Sequence, residues 1–137
     1  MIERLVISIA LFAVGFGLYV YLTRRQVKRL STMSADTDSI LHDLKPGIPA
    51  IVYFTTPHCI PCLTQQQPAL AHVIDALGDD NIQIIKIDAT ENPDSADRWG
   101  VMAAPTTFIV DKLGTVKAVN HGVTDANKLQ RQLQMTA

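Results

Sequence analysis

The stretch Phe54-Thr55-Thr56-Pro57-His58-Cys59-Ile60-Pro61-Cys62 contains both cysteines of this chain. Its two cysteines follow directly on the short apolar run 50–54 (AIVYF), which is typical of a strand buried on both faces. Between residues 70 and 77, apolar side chains recur at i, i+3, i+4 and i+7, which is helical spacing. The sequence therefore predicts a buried strand that passes into an α-helix, with the cysteines at the junction.

This position favours the chemistry of a redox-active dithiol. The unpaired N–H groups and the dipole of a helix N-terminus favour negative charge. A free thiol has a pKa of about 8.5, and lowering it by one unit requires only about 1.4 kcal/mol. Cys59 is therefore the predicted nucleophile, and Cys62, one turn into the helix, is predicted to resolve the mixed disulfide. Pro61 costs no hydrogen bond at an early helical position and stiffens the turn.

Two other roles for the cysteine pair stay open from the residues alone. The motif is half of a zinc site, but a structural zinc usually takes four ligands. The four histidines of the chain form no second paired motif, so we predict no metal. The second alternative is a domain that keeps the motif without turning over disulfides.

The N-terminal run 5–23 (LVISIALFAVGFGLYVYLT) contains no charged residue. As a helix it would be roughly 28 Å long, close to the roughly 30 Å hydrocarbon core of a bilayer. Tyrosines and then arginines follow, which is typical of a membrane interface. We predict a single-pass transmembrane anchor over residues 1–23. A cleaved signal peptide fits less well because no small-x-small cleavage site follows. A buried core helix also fits less well because apolar residues occupy every face.

Charge and cysteine usage bear on location and partners. The flank after the apolar run carries Arg24, Arg25, Lys28 and Arg29, whereas only Arg4 lies before it, so the positive-inside rule predicts that the C-terminal domain is cytoplasmic. With both cysteines in one motif, no separate structural disulfide demands an oxidising compartment. The net charge of −1 gives no electrostatic case for binding nucleic acid.

Residues 24–47 are predicted to form a polar connector, with a break within 34–38, a short helix over 39–44 and a turn at Pro46-Gly47. The remaining residues, 48–137, are predicted to form one domain. Its strands are expected at 50–54, 82–88, 106–110 and 115–119, and its helices after the cysteines, at 93–99 and at 125–134. We expect Thr124 to cap the last helix. This order predicts an α/β fold with a mixed sheet and helices on both faces.

Two separated motifs in this order resemble the thioredoxin family. The stretch 54–62 is similar to the strand and Cys-Gly-Pro-Cys active site of that family. Residues 99–106 (WGVMAAPT) are similar to its aromatic-Gly-Val-x-x-x-Pro-Thr segment, whose proline is cis. The resemblance covers residues 49–135. It implies a thioredoxin-like fold and a thiol–disulfide oxidoreductase that acts on protein disulfides, takes electrons from another redox protein and needs no dissociable cofactor.

The resemblance also implies further site residues. The Ala104–Pro105 bond should be cis and lie beside the cysteines, where the backbone of Ala104 would pair with a substrate strand. Gly122 matches a glycine near the substrate groove. Lys86, in the family's second parallel strand, is expected to modulate the site.

Three departures from the family pattern bear on activity. A buried aspartate of family reductases is replaced by Tyr53, whose phenol, with a pKa near 10, is a poor base at neutral pH. His58 replaces a family tryptophan; it would favour the Cys59 thiolate when protonated, or it is simply an exposed rim residue. The proline of the following helix falls one residue late, at Pro68.

Three functions therefore stay open. The first is a membrane-tethered enzyme that reduces or exchanges protein disulfides. The second is an extracytoplasmic protein of the same fold, serving disulfide formation or cytochrome c maturation, since many membrane-anchored relatives face outward. The third is a redox-sensing or binding module with little turnover, which the Tyr53 substitution favours.

Overall fold

The computed structural model describes residues 1–31 and 39–136. The break predicted within residues 34–38 lies outside the described residues. The helices are α1 (Ile2–Ser31), α2 (Ser39–His42), α3 (Gln67–Leu77), α4 (Pro93–Trp99) and α5 (Ala126–Met135). The strands are β1 (Ala50–Thr55), β2 (Gln83–Asp88), β3 (Thr106–Val110) and β4 (Val116–His121). A π-helical turn, Cys62–Gln66, leads directly into α3.

The sheet has the strand order β2-β1-β3-β4, with β1 parallel to β2 and the other pairs antiparallel. The predicted mixed sheet of a thioredoxin-like fold is thus confirmed. Strand β1 lies inside the sheet, and all six of its residues are buried, as its continuous apolar run predicts. The residues that follow β1 therefore start from a rigid, fully paired strand.

Hydrophobic side chains cover both faces of the sheet. On one, which we call the aromatic face, Phe54, Trp99 and Phe108 form a cluster with ring centroids 4.9–6.0 Å apart. On the other, which we call the cysteine face, Ile51 and Tyr53 pack with Leu129 and with both cysteines. The two cysteines therefore lie on the face that α3 and α5 cover.

Helix α1 continues beyond the apolar run and reaches the aromatic face. Its residues 2–19 are exposed, and the helix is long and apolar enough to cross a membrane, a property that signal sequences share. Near its end, Gln26 Nε2 donates to the carbonyls of Trp99 and Gly100, each at 3.2 Å, and Val27 packs against the aromatic cluster. The last turns of α1 are thus fixed to the folded domain.

Several predicted element boundaries differ from the observed ones by one or two residues. Thr124 does not cap the last helix; Asp125 is the N-cap residue, and the Thr124 N–H is instead bonded to Gln66 Oε1 at 2.9 Å. Strand β4 begins at Val116 because the backbone of Thr115 closes the preceding turn through two hydrogen bonds with Asp111. Helix α2 ends at His42, two residues earlier than expected.

Candidate active site at the end of strand β1

The two cysteines lie where β1 passes into the helix that follows it. Strand β1 ends at Thr55, a turn covers residues 57–58, and Ile60 is the first helical residue. Cys59 occupies the N-cap position, because its carbonyl accepts the first helical hydrogen bond from the Leu63 N–H at 3.3 Å. The predicted junction is confirmed, and Cys59 sits where unpaired backbone donors favour a thiolate.

Cys59 and Cys62 form a disulfide, with their Cα atoms 5.2 Å apart. The backbone N–H of Cys62 also donates to the Cys59 Sγ, at 3.2 Å. Cys59 is 8% exposed, whereas Cys62 is completely buried. Of the two cysteines, only Cys59 keeps some exposed surface, and a thiolate formed there on reduction would have a backbone donor beside it.

The structure brings Ala104, Pro105 and Gly122 to the same end of the sheet as the cysteines. The Ala104–Pro105 bond is cis, as the family resemblance implies. Ala104 packs against the cluster that contains Cys59 and Cys62. The Pro105 carbonyl accepts a hydrogen bond from the Gly122 N–H at 2.9 Å. Three chain segments, far apart in sequence, thus meet around the disulfide.

The three segments that meet at this end of the sheet carry exposed apolar side chains. The large ones are Ile60 (70% exposed), Leu63 (56%), Met102 (93%) and Val123 (42%). The segments 55–63, 99–106 and 122–124 contain no aspartate, glutamate, lysine or arginine. His58 and Pro61 are exposed within the motif itself. Such a surface suits an apolar, uncharged substrate segment better than a charged one.

Tyr53 stands where the family pattern has a carboxylate. It is buried in the cluster that contains both cysteines, and among the described residues its hydroxyl has no hydrogen-bond partner. Lys86 lies beside it in the register of β1 and β2, with its own side chain exposed. The site therefore holds a buried phenol ring, where the family pattern has a carboxylate, in the cluster that contains both cysteines.

The late position of Pro68 has a structural cause. The Gln67 N–H donates to the Cys62 carbonyl, a π-type bond five residues back, so the turn holds one residue more than an α-helix would. Gln66 lies at the end of this turn and is completely buried. Gln66 was not among the predicted site residues, although the late position of Pro68 pointed to this turn.

Within residues 1–31 and 39–136, no group of three or more His, Cys, Asp or Glu side chains is placed to hold a metal ion. The sulfurs that a zinc ion would need are joined to each other. In the arrangement seen here the pair is the oxidised form of a dithiol.

Comparisons with known proteins agree with this geometry. The family model described as Thioredoxin matches residues 31–135. The thioredoxin of Rhodospirillum rubrum is 36% identical over 103 residues, covering 75% of this chain and 92% of the relative. Thioredoxin 1 of Synechococcus elongatus is 30% identical over 112 residues, covering 76% of this chain and all of the relative. The structure of Fasciola hepatica thioredoxin superposes with a TM-score of 0.60 at 20% identity, covering 75% of this chain and 93% of that one.

Proposed function

The chain belongs to the thioredoxin family, and from this premise we propose that its Cys59-Ile60-Pro61-Cys62 motif reduces or exchanges protein disulfides at a membrane surface. The general activity, thiol–disulfide oxidoreduction, follows from the family and from the bonded cysteine pair. One observation supports the more specific proposal. Cys59, the more exposed cysteine of the pair, lies at a helix N-terminus beside a cis-proline loop, next to its completely buried partner Cys62.

In the proposed reaction the Cys59 thiolate attacks one sulfur of a substrate disulfide. A mixed disulfide forms, and the other substrate sulfur leaves as a thiolate and takes up a proton. Cys62 then loses its proton and attacks the Cys59 sulfur, which releases the second substrate thiol and closes the internal disulfide. The substrate gains two electrons and the cysteine pair loses two. Another redox protein returns them.

Substrate backbone would pair with Ala104 next to the cis bond, and Gly122 would line the opposite side of the groove. The hydrogen bond between Gly122 and Pro105 supports this assignment, because it holds the two walls together. Since Tyr53 supplies no base, the proton of Cys62 would leave to solvent. We therefore expect resolution of the mixed disulfide to be the slow step.

The exposed apolar length of α1 supports a membrane tether, and the basic residues after it support a cytoplasmic domain. Because Gln26 and Val27 fix the end of α1 to the domain, the site would stay close to the bilayer. Disulfides of proteins in or at the membrane are then the expected substrates.

Trapping tests the mechanism. When cells that express the Cys62→Ser variant in their membranes are lysed under thiol-preserving conditions, we expect disulfide-linked adducts of the variant that disappear on reduction. The matched Cys59→Ser variant should give none. Absence of adducts with Cys62→Ser would contradict the proposal.

A topology reporter fused after residue 137 tests the membrane side. A reporter that is active only outside the cytoplasm would favour the extracytoplasmic alternative.

Tyr53 favours one other function, a redox sensor with little turnover. Insulin reduction by the full chain, with dithiothreitol as the electron source, separates the two. Turnover well above the dithiothreitol background supports the enzyme. Background-level turnover by a chain whose disulfide is readily reduced supports the sensor.

A further inference from the structure

Gln66 links the helix of the active site to the loop between β4 and α5. Its amide Nε2 donates to the Thr124 carbonyl at 3.1 Å, and its Oε1 accepts from the Thr124 N–H at 2.9 Å. The two residues are 58 positions apart in sequence, and the glutamine side chain is completely buried. A buried amide must find partners for both of its polar atoms, and here a single residue's backbone supplies them.

The π-helical turn places Gln66 for this contact. In an α-helix each residue advances about 100° around the axis, so one extra residue turns a different side chain toward the core. The turn starts at Cys62 and ends at Gln66, and Gln67 closes it. The turn that carries the resolving cysteine thus also carries the residue that reaches the neighbouring loop.

The contact continues to the cis-proline loop. Two residues before Thr124, the Gly122 N–H donates to the Pro105 carbonyl at 2.9 Å. Hydrogen bonds therefore run from the turn at Cys62, through Gln66 and the 122–124 loop, to Pro105. Both hydrogen bonds of the Gln66 amide go to Thr124, and neither goes to a sulfur.

We propose that Gln66 is a positioning residue that fixes the 122–124 loop relative to the Cys62 turn and the Pro105 loop, and so determines how tightly a protein substrate is held. This inference rests on the proposed function. Because neither hydrogen bond of Gln66 goes to a sulfur, its loss should weaken binding of extended protein substrates and leave the thiol chemistry unchanged. Small disulfides, which do not occupy the groove, should not respond to it.

The test uses the full chain in detergent and the variant Gln66→Met, which keeps the side-chain length and removes both hydrogen bonds. Steady-state reduction of insulin gives KM and kcat, and the reduced protein is also reacted with a small aromatic disulfide, dithionitrobenzoate. We expect KM for insulin to rise about five- to tenfold, with kcat and the dithionitrobenzoate rate within about twofold of wild type. Gln65→Met, at an exposed neighbouring position, should behave as wild type in both assays.

Amide hydrogen exchange provides a measurement independent of turnover. Exchange at Gly122 and Thr124 should be at least about tenfold faster in Gln66→Met than in wild type, and unchanged in Gln65→Met. In Gln66→Glu, whose carboxylate can still accept from the Thr124 N–H, the exchange rates should fall between those of wild type and Gln66→Met. This variant replaces Gln66→Met in the test if the methionine variant does not fold. Unchanged exchange at this loop overturns the proposal. So does an equal loss of rate toward insulin and dithionitrobenzoate. If wild type fails to reduce insulin but the exchange result holds, the proposed function fails and the positioning role stands.

Discussion

The aromatic face and the cysteine face of the same sheet differ in how their side chains are held. On the aromatic face, Phe54, Trp99 and Phe108 pack ring against ring. On the cysteine face, buried amides make directed hydrogen bonds, from Gln66 to Thr124 and from Asn120 to Gln132. Apolar packing tolerates rearrangement if volume is kept, whereas a satisfied polar network favours one arrangement. The site, which needs three loops in fixed positions, lies on the hydrogen-bonded face.

If this comparison is right, the largest loss of stability comes from the aromatic face. Trp99→Ala should lower the free energy of unfolding by about 3–5 kcal/mol, because a fully buried indole leaves a cavity between two phenylalanines. Denaturant unfolding of the full chain in detergent, followed by circular dichroism, measures this. Trp99 is the sole tryptophan, so fluorescence cannot report on the variant. The control Trp99→Phe should lose less, and a loss below about 1 kcal/mol for the alanine variant would contradict the assignment.

On the hydrogen-bonded face, two side-chain amides should be coupled as a pair. Asn120 Nδ2 donates to Gln132 Oε1 at 2.7 Å, and Gln132 Nε2 donates back to Asn120 Oδ1 at 2.9 Å. Asn120→Ala removes both bonds with Gln132, and also the bond from Asn120 Nδ2 to Thr107 Oγ1 at 3.3 Å, at a cost of about 1–3 kcal/mol.

A double-mutant cycle isolates the interaction. Asn120→Leu combined with Gln132→Leu should cost less than the sum of the two single changes, by about 0.5–3 kcal/mol. Gln134→Leu, at an exposed position of the same helix, is the control for adding a leucine to α5. Strictly additive values would mean that the two amides do not act as a pair.

The outline of both faces could be predicted from the sequence because its signals are local. Strand β3 and helix α4 were predicted with the observed bounds, from a β-branched run and an Asn-Pro start. Gly78 ends α3 with a positive φ of 86°, as a glycine after the last apolar repeat indicates. The cysteine junction depends on the same kind of local pattern.

The contacts that fix the loops could not be predicted, since their partners are distant in sequence. Thr124 has the residue type of a helix cap, but its backbone is hydrogen-bonded to the side chain of Gln66, 58 residues away. Gln26 reads as part of a polar connector, yet it is bonded to carbonyls more than 70 residues away. A π-helical turn has no propensity signal, and only the late proline hinted at an extra residue. Tertiary partners decided each of these positions.

Tyr53 offers a test in the opposite direction. Its hydroxyl is a buried polar group without a hydrogen-bond partner among the described residues, on a face where the amides are satisfied. Removing such a group is neutral or stabilising, so Tyr53→Phe should raise the free energy of unfolding by up to about 1 kcal/mol. Insulin turnover should stay within about twofold of wild type. A large fall in turnover for a stable Tyr53→Phe variant would instead show that the hydroxyl takes part in proton transfer at Cys62.

The smallest effect is expected at Asp88, at the end of edge strand β2. The Thr90 hydroxyl and then the Thr90 N–H donate to this carboxylate, which lowers the pKa of Asp88 below its ordinary value of 3.8. Because the pKa is lowered in the folded chain, the stabilisation is complete above pH 3.8 and is lost as the pH falls through the folded pKa.

Thr90→Val should move the Asp88 pKa, followed by NMR titration, back toward 3.8, whereas Thr90→Ser should not. The stability difference between the valine variant and wild type should shrink in strong acid, and it should be small throughout because solvent screens this exposed carboxylate. An unchanged Asp88 pKa in Thr90→Val would mean that the Thr90 hydroxyl is not what lowers it.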